Sequence, residues 1–421
     1  MYLNSHTYFS LRYGTIAPKE LIKLALYNKV KALALTDINN TSACLEFVRL
    51  SKINNIKPIL GVDFRNGANQ QFILIAKNNN GFKEINKYLS KFLHKRDYYI
   101  PNRPEIQLKD CYVIYPFKKG KNFNLGQNEF LGISLKETNI LKFSKWKGSQ
   151  NKLIVLQTVS FANKKSFNTH RLLRAIDNNT LLSKLPKSEE GSPEDMMLPE
   201  KELCNKYWEF PQLLINTQRI IDSCKIDFEF NPETPNNQQC YTKSTELDFR
   251  LLRKLTFKGL HYRYKKPGTR IFERIEKELK IIREKNFVSY FLINWKILKY
   301  ARSKGYFYVG RGSGANSIVA YLLRITDVDP VELDLYFERF INLFRQNPPD
   351  FDIDFSWKDR DDVTEFIFRT FKHTALITVY NTFKFRASVR ELGKVFGLPK
   401  SEMDMLTRGK YNINQIDKLS K

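Results

Sequence analysis

The sequence is poor in the residues that build metal clusters, disulfide frameworks and membrane spans. Its 421 residues include five cysteines, five histidines, five methionines and four tryptophans. The cysteines, at 44, 111, 204, 224 and 240, form no CxxC pair and no zinc spacing. That excludes a disulfide scaffold and a zinc finger, and fits reduced thiols in a cytoplasmic protein. His94, His170, His261 and His373 fall at no ligand spacing. No apolar run approaches the roughly 20 residues that cross a bilayer. The opening MYLNSHTYFS lacks the basic head and apolar run of a signal peptide. No membrane partner is expected. Internal repeats, long low-complexity segments and the P-loop pattern GxxxxGK[ST] are also absent. Acidic residues are few beside basic ones, 44 against 70, so the net charge is +26. An excess this large points to a polyanionic partner, with nucleic acid first.

What is present suggests two or three domains with real cores, since 42% of residues are apolar and 14% aromatic. The first third alternates strand and helix patterns: KALALTD, IKPILGVDF and QFILIAK as strands, APKELIKLALYNKV and GFKEINKYLSKFLHKR as helices. Such βαβα order predicts a parallel sheet or barrel, whose sites lie at the carboxyl ends of strands. His6, Asp37 and Asp63 fall at such ends. Residues 100–150 and 185–202 read as irregular. A Pro- and Asn-rich linker at 228–243 marks the main boundary. Beyond it come long helical patterns studded with Lys, Arg and aromatic residues, including TELDFRLLRKLTFKGLHYRY and FERIEKELKIIREKNFVSYFLINWKILKYARSKG. PVELDLYFERFIN reads as a helix, TALITVYNTF as a strand, and KFRASVRELGKVFG as a helix ending at Gly397.

Two stretches carry chemistry. In PPDFDIDF (348–355), Asp350, Asp352 and Asp354 alternate with apolar residues. On a strand they share one face. Carboxylates so close repel unless a cation lies between them, and hard oxygen ligands suit Mg²⁺. The bland alternative is an edge strand with a solvated acidic face. In GRGSGANS (310–317), three glycines let backbone N–H groups approach an anion at a helix start. Its bland alternative is a flexible turn. Together with Arg339, Arg345 and Arg386, these stretches make a parts list for phosphoryl or nucleotidyl transfer.

GRGSGANSIVAYLLRITDVDPVELDLYFERF followed by PPDFDIDF resembles the palm of the C-family bacterial DNA polymerases, the DNA polymerase III alpha subunits. LNSHTYFSLRYG, LALTDINN, KPILGVDF and FILIAKNNNGF resemble that family's N-terminal PHP domain. The resemblance covers nearly the whole chain in the family's order. It implies an α/β protein: a PHP-type (β/α) barrel over 1–230, an α+β nucleotidyltransferase-like palm over 231–400, and the beginning of a thumb over 401–421. It implies template-directed transfer of dNMP to a primer 3′-hydroxyl with Mg²⁺. Asp350 and Asp352 correspond to the catalytic, metal-binding carboxylates, and Asp354 is a further metal-binding candidate. Gly312, Ser313, Arg339, Arg345 and Arg386 are the nucleotide-binding candidates. Primer-template DNA and dNTPs are the implied partners, with a sliding clamp and other replication or repair proteins engaged through later parts of the family's chain. The family's third catalytic aspartate lies downstream of Lys421, so a fragment inactive by itself is expected. The short N-terminal domain and its lost metal ligands resemble the error-prone, translesion kind of alpha subunit, and since many replicative members have lost these ligands too, the main replicative role stays open.

The PHP ligand pattern is eroded. An H-x-H becomes Asn4-Ser5-His6, T-D-H becomes Thr36-Asp37-Ile38, a glutamate becomes Asp63, a histidine becomes Gln71, and a late D-x-H becomes Thr158-Val159-Ser160. His6, Asp37 and Asp63 are read as remnants of a degenerate site. Two other readings stay open: a PHP-type metal-dependent phosphoesterase, and a non-catalytic DNA-binding or scaffold module.

Overall fold

The computed structural model describes residues 1–95, 97–148, 150–230, 240–342 and 350–408. Arg345 and most of the expected thumb segment, 409–421, lie outside the described residues. The chain divides into two compact units, Met1–Phe230 with Asn381–Lys421, and Asn231–Tyr380.

The first unit carries β1 (Asn4–Ser5), β2 (Ala32–Leu35), β3 (Lys57–Asn66), β4 (Asn69–Ala76), β5 (Cys111–Pro116), β6 (Glu129–Ile133), β7 (Leu153–Val155) and β8 (Thr158–Val159). Strands β2 to β7 form one sheet in sequence order. β1 pairs in parallel with β8, and a bridge from Tyr2 to Leu33 links it to β2. The result is a curled half-barrel. β2 is buried throughout, which is why ALAL has no polar alternation. The β3–β4 and β4–β5 pairings are antiparallel and the other pairings in the sheet are parallel. Gly67, at φ +58°, closes a turn between β3 and β4. So short a connection joins only antiparallel strands, and it departs from the parallel order that βαβα patterning suggests. β5 and β6 fall in the stretch read as irregular, where Lys-, Asn- and Gly-rich loops mask two short apolar runs.

Helices Pro18–Tyr27 and Cys44–Ile53 cover the sheet, with Pro18 at the first helical position, where its missing N–H costs nothing. Leu21, Ile22, Phe47 and Val48 join Leu33, Leu35, Leu60 and Val62 in one core. Helix Phe385–Phe396 also belongs to this unit. It ends at Gly397, at φ +78°, and buries Val395 with Ala175 and Leu185.

The second unit is built on helices Thr245–Arg263, Thr269–Glu284 and Val288–Ser303. The last two read as one long pattern in the sequence. They are separated at Asn286, which takes φ +57°. Leu252, Ile275, Leu279, Phe291, Val319 and Phe340 share their core. β9 (Tyr308–Arg311) and β10 (Asp352–Phe355) pair antiparallel. Two expectations are corrected here. PVELDLYFERFIN holds one 3₁₀ turn, Phe337–Arg339, because Asp334 at φ +48° interrupts the helical path. TALITVYNTF forms no strand, because no described strand pairs with it.

Candidate functional site

The acidic strand and the glycine loop meet through β9 and β10. Asp352 lies opposite Arg311, Ile353 opposite Gly310, Asp354 opposite Val309 and Phe355 opposite Tyr308. Asp352 and Asp354 are 46% and 58% exposed, while Ile353 and Phe355 pack against the core. The repulsion anticipated between the carboxylates is relieved by Arg311. Its Nε donates to Asp354 Oδ2 at 2.6 Å, and its Nη1 lies 3.6 Å from Asp352 Oδ2. The carboxylates hold this guanidinium's pKa above its ordinary value, chiefly through the Asp354 hydrogen bond. Asp350 is exposed and precedes the strand. Phe351 anchors the approach: its N–H donates to Tyr290 Oη at 2.8 Å, and its ring stacks on Tyr290 at 5.2 Å.

The glycines are required by close packing, not by flexibility. Gly312 takes φ +74°, and a Cβ there would stand 2.3 Å from Asp352 Oδ2. A Cβ on Gly314 would stand 2.7 Å from the Phe351 ring, and one on Gly310 would stand 2.0 Å from Ile325 O. The loop leads through a 3₁₀ turn, Gly312–Asn316, into helix Ile318–Leu322, capped by Ser317.

Beneath the loop lies a buried ion pair that sequence reasoning missed. Glu278 accepts from Ser317 Oγ at 2.8 Å, Ile318 N at 3.2 Å and Val319 N at 3.3 Å. Arg274 Nε donates to Glu278 at 2.7 Å, and its Nη2 donates to Asn316 O at 3.1 Å and Leu335 O at 2.9 Å. Burial raises the Glu278 pKa against the pull of Arg274 and Ser317. The available signal was a glutamate inside the apolar stripe of Ile275, Leu279 and Ile282, four residues after an arginine.

The remaining candidates are dispersed. Ser313 is half-buried in the 3₁₀ turn, and its carbonyl accepts from Asn316 Nδ2 at 2.8 Å. The Arg339 side chain is exposed, with no partner among the described residues. Arg345 lies outside them. Arg386 is exposed on helix Phe385–Phe396, which belongs to the first unit.

In the first unit, His6 and Asp63 meet and Asp37 lies close by. Asp63 sits within β3, not at its end, beside a register shift between Phe64 and Arg65. Its Oδ2 receives Arg65 Nε at 2.9 Å, Arg65 Nη2 at 2.7 Å and Gln70 Nε2 at 2.7 Å, and lies 3.1 Å from His6 Nε2. Burial pushes the Asp63 pKa up, but Arg65 and His6 together bring it below its ordinary value. Burial lowers the His6 pKa, against the pull of Asp63. Asp37 accepts from Thr7 N at 2.6 Å, Thr7 Oγ1 at 2.7 Å and Ser10 Oγ at 2.7 Å. Residues at the eroded ligand positions bond to one another or to a retained neighbour: Ser160 Oγ to His6 Nδ1 at 2.8 Å, Asn4 to Thr158 at 3.0 Å, and Asn4 also accepts from the retained Thr36 at 2.7 Å. Gln71 instead accepts from Lys119 at 2.6 Å. Among the described residues, no group of three His, Cys, Asp or Glu side chains is arranged to hold a metal. The donor set of this pocket does not fit one, because Arg65, Thr7 and Ser10 hold three of the four carboxylate oxygens of Asp37 and Asp63. Arg65 was overlooked in the sequence, although an arginine two residues after Asp63 on a buried strand must share its face.

The curled sheet of the first unit and the glycine loop clasped to an acidic strand in the second are the parts of a PHP domain followed by a polymerase palm region. Residues 3–118 match the PHP domain, and residues 250–419 match the bacterial DNA polymerase III alpha NTPase domain. In domain content and order the chain is similar to the DNA polymerase III alpha subunits. It is 30% identical over 416 residues to the DNA polymerase III subunit alpha of Ureaplasma parvum, covering 96% of this chain and 40% of that protein. The Bacillus subtilis subunit is 29% identical, covering 97% and 39%. The error-prone DNA polymerase of Symbiobacterium thermophilum is 28% identical, covering 97% and 42%. The chain therefore spans about two fifths of the length of these relatives.

Proposed function

We propose that the chain is the PHP and palm portion of a DNA-directed DNA polymerase. The observation that carries this reading is the clasp of Asp352 against Gly312, within the part of the chain that matches the polymerase NTPase domain. The reaction is attack of a primer 3′-hydroxyl on the α-phosphate of a deoxynucleoside triphosphate, with release of pyrophosphate. Both domain families are metal-dependent, and Mg²⁺ is the cation that exposed carboxylate oxygens suit. Asp350 and Asp352 would hold it. Arg311 is committed more closely to Asp354 than to Asp352, which leaves Asp352 the freer ligand. Bound Mg²⁺ would supply charge neutralisation and a more acidic primer hydroxyl. Gly312 and Ser313 would place backbone and hydroxyl donors at the triphosphate, and Arg339 and Arg345 would offset the charge that grows on pyrophosphate.

DNA and dNTPs are the proposed substrates, and a sliding clamp and other replication or repair proteins the proposed partners of the longer polymerase. Replicative and error-prone names both occur among relatives of nearly equal identity. The activity proposed is the one those names share. The protein is proposed to act in the cytoplasm, and no described helix is long and apolar enough to cross a membrane.

The test is primer extension on a primed template with Mg²⁺, using this portion joined to the remainder of a relative's chain. Asp352→Asn should lower activity by orders of magnitude and leave DNA affinity nearly intact. An active Asp352→Asn protein refutes the assignment. The 421-residue chain by itself should extend no primer.

A further inference from the structure

The N-terminal pocket has the burial of a metal centre, yet its cation belongs to the chain. Arg65 is 7% exposed and Asp63 is fully buried. Two guanidinium nitrogens converge on one Asp63 oxygen, and that oxygen also gathers Gln70 and His6. The guanidinium packs on the Tyr13 ring, 4.8 Å from its centre. Tyr13 packs on His170 at 4.4 Å, and Tyr13 O lies 2.8 Å from His170 Nδ1. His170 Nε2 in turn accepts from Gly191 N at 2.8 Å. The cation is thus fixed by its carboxylate and by the ring beneath it. A guanidinium stays charged at any physiological pH and presents a rigid fork of donors.

We infer that Arg65 is the built-in cation of the first unit. It neutralises and cross-links this pocket as divalent metals would, so the pocket takes up no divalent ion and hydrolyses no phosphate ester. The hydroxyl and amide substitutions at Asn4, Thr158 and Ser160 form the matching half of the exchange, because they bond to each other or to His6 and ask for no ion. One atom stands apart: Asp63 Oδ1 is buried without a hydrogen-bond partner. A metal entering the pocket would find that one carboxylate oxygen unengaged, and the experiment reads whether any does.

The full chain, carrying Asp350→Asn and Asp352→Asn so that the acidic strand holds no ion, is purified without chelator, its metal content is measured by plasma mass spectrometry, and its thermal midpoint is recorded with EDTA, Zn²⁺ or Mn²⁺. The expected result is substoichiometric metal and an unchanged midpoint. Arg65→Met removes the charge at similar length and should lower the midpoint by several degrees. It should also make the midpoint rise with Zn²⁺ or Mn²⁺, because Asp63 then lacks its cation. If Arg65→Met does not fold, Arg65→Lys, which keeps a charge, should fold and ignore the metals. Stoichiometric metal in the chain that keeps Arg65, a midpoint lowered by EDTA, Mn²⁺-dependent hydrolysis of p-nitrophenyl phosphate, or an Arg65→Met protein as stable as that chain would each overturn the inference.

Discussion

Gly312 shows how one residue governs the acidic strand. Its φ of +74° and the 2.3 Å approach that a Cβ would make to Asp352 Oδ2 leave no room for a side chain. Gly312→Ala should cost about 1–2 kcal/mol from backbone strain alone. Urea unfolding measures it, and a variant as stable as the native chain would remove the cradle from the argument. His170 and Asp195 make a second residue-scale case. Burial holds the His170 pKa down to about 4 from 6.5, so its contribution to stability is present above pH 6.5 and lost as pH falls towards 4. Burial lifts Asp195 from 3.8 to about 6 against the pull of Arg65, so its contribution is greatest below pH 3.8 and lost as pH rises through 6. The two slopes oppose each other. The cost of His170→Asn should therefore grow by up to ~3 kcal/mol from pH 4 to pH 6.5. Unfolding titrations of both proteins check this, and a pH-independent cost would contradict it.

At the scale of elements, Arg274 and Glu278 tie helix Thr269–Glu284 to the end of the glycine loop and to Leu335. Glu278→Ala would leave three donors unmet, while Arg274 keeps Asn316 O and Leu335 O, at a cost of about 1–3 kcal/mol; a loss below ~1 kcal/mol in urea unfolding would show the clamp to be dispensable. Thr374–Phe383 is the opposite case. Its β-branched run suits a strand, yet Ile377 is 99% and Val379 90% exposed. An apolar extended run without a ladder partner is a template for association. Ile377→Lys should leave unfolding within about 0.5 kcal/mol of the native chain and reduce concentration-dependent light scattering. Unchanged scattering would show that this run does not drive association. Here the sequence was legible only in part. Propensity shows up in the residue types themselves, so β2, β4 and the helix ending at Gly397 could be read. Whether a strand finds a partner depends on distant chain, so TALITVYNTF could not.

For the whole molecule, a net charge of +26 makes the electrostatic prediction. Six or so phosphate contacts would lower DNA affinity by about a thousandfold between roughly 50 and 200 mM salt, as counterions are released. A flat response would argue against a phosphate-reading surface. The sequence by itself determined the basic balance, the glycine loop, the alternating aspartates and the thinning of the PHP ligands, because each is a property of residue type and local spacing. Tertiary structure decided which groups reach a carboxylate from elsewhere in the chain and which pairs are closed off from water. Arg311 reaches Asp352 and Asp354 across the β9–β10 pairing, and Glu278 reaches Ser317 from another helix. Arg65 reaches Asp63 only because their strand is buried with its charges on one face. Charge pairing in a protein interior depends on distances of a few ångströms and on the loss of water, and folding sets both.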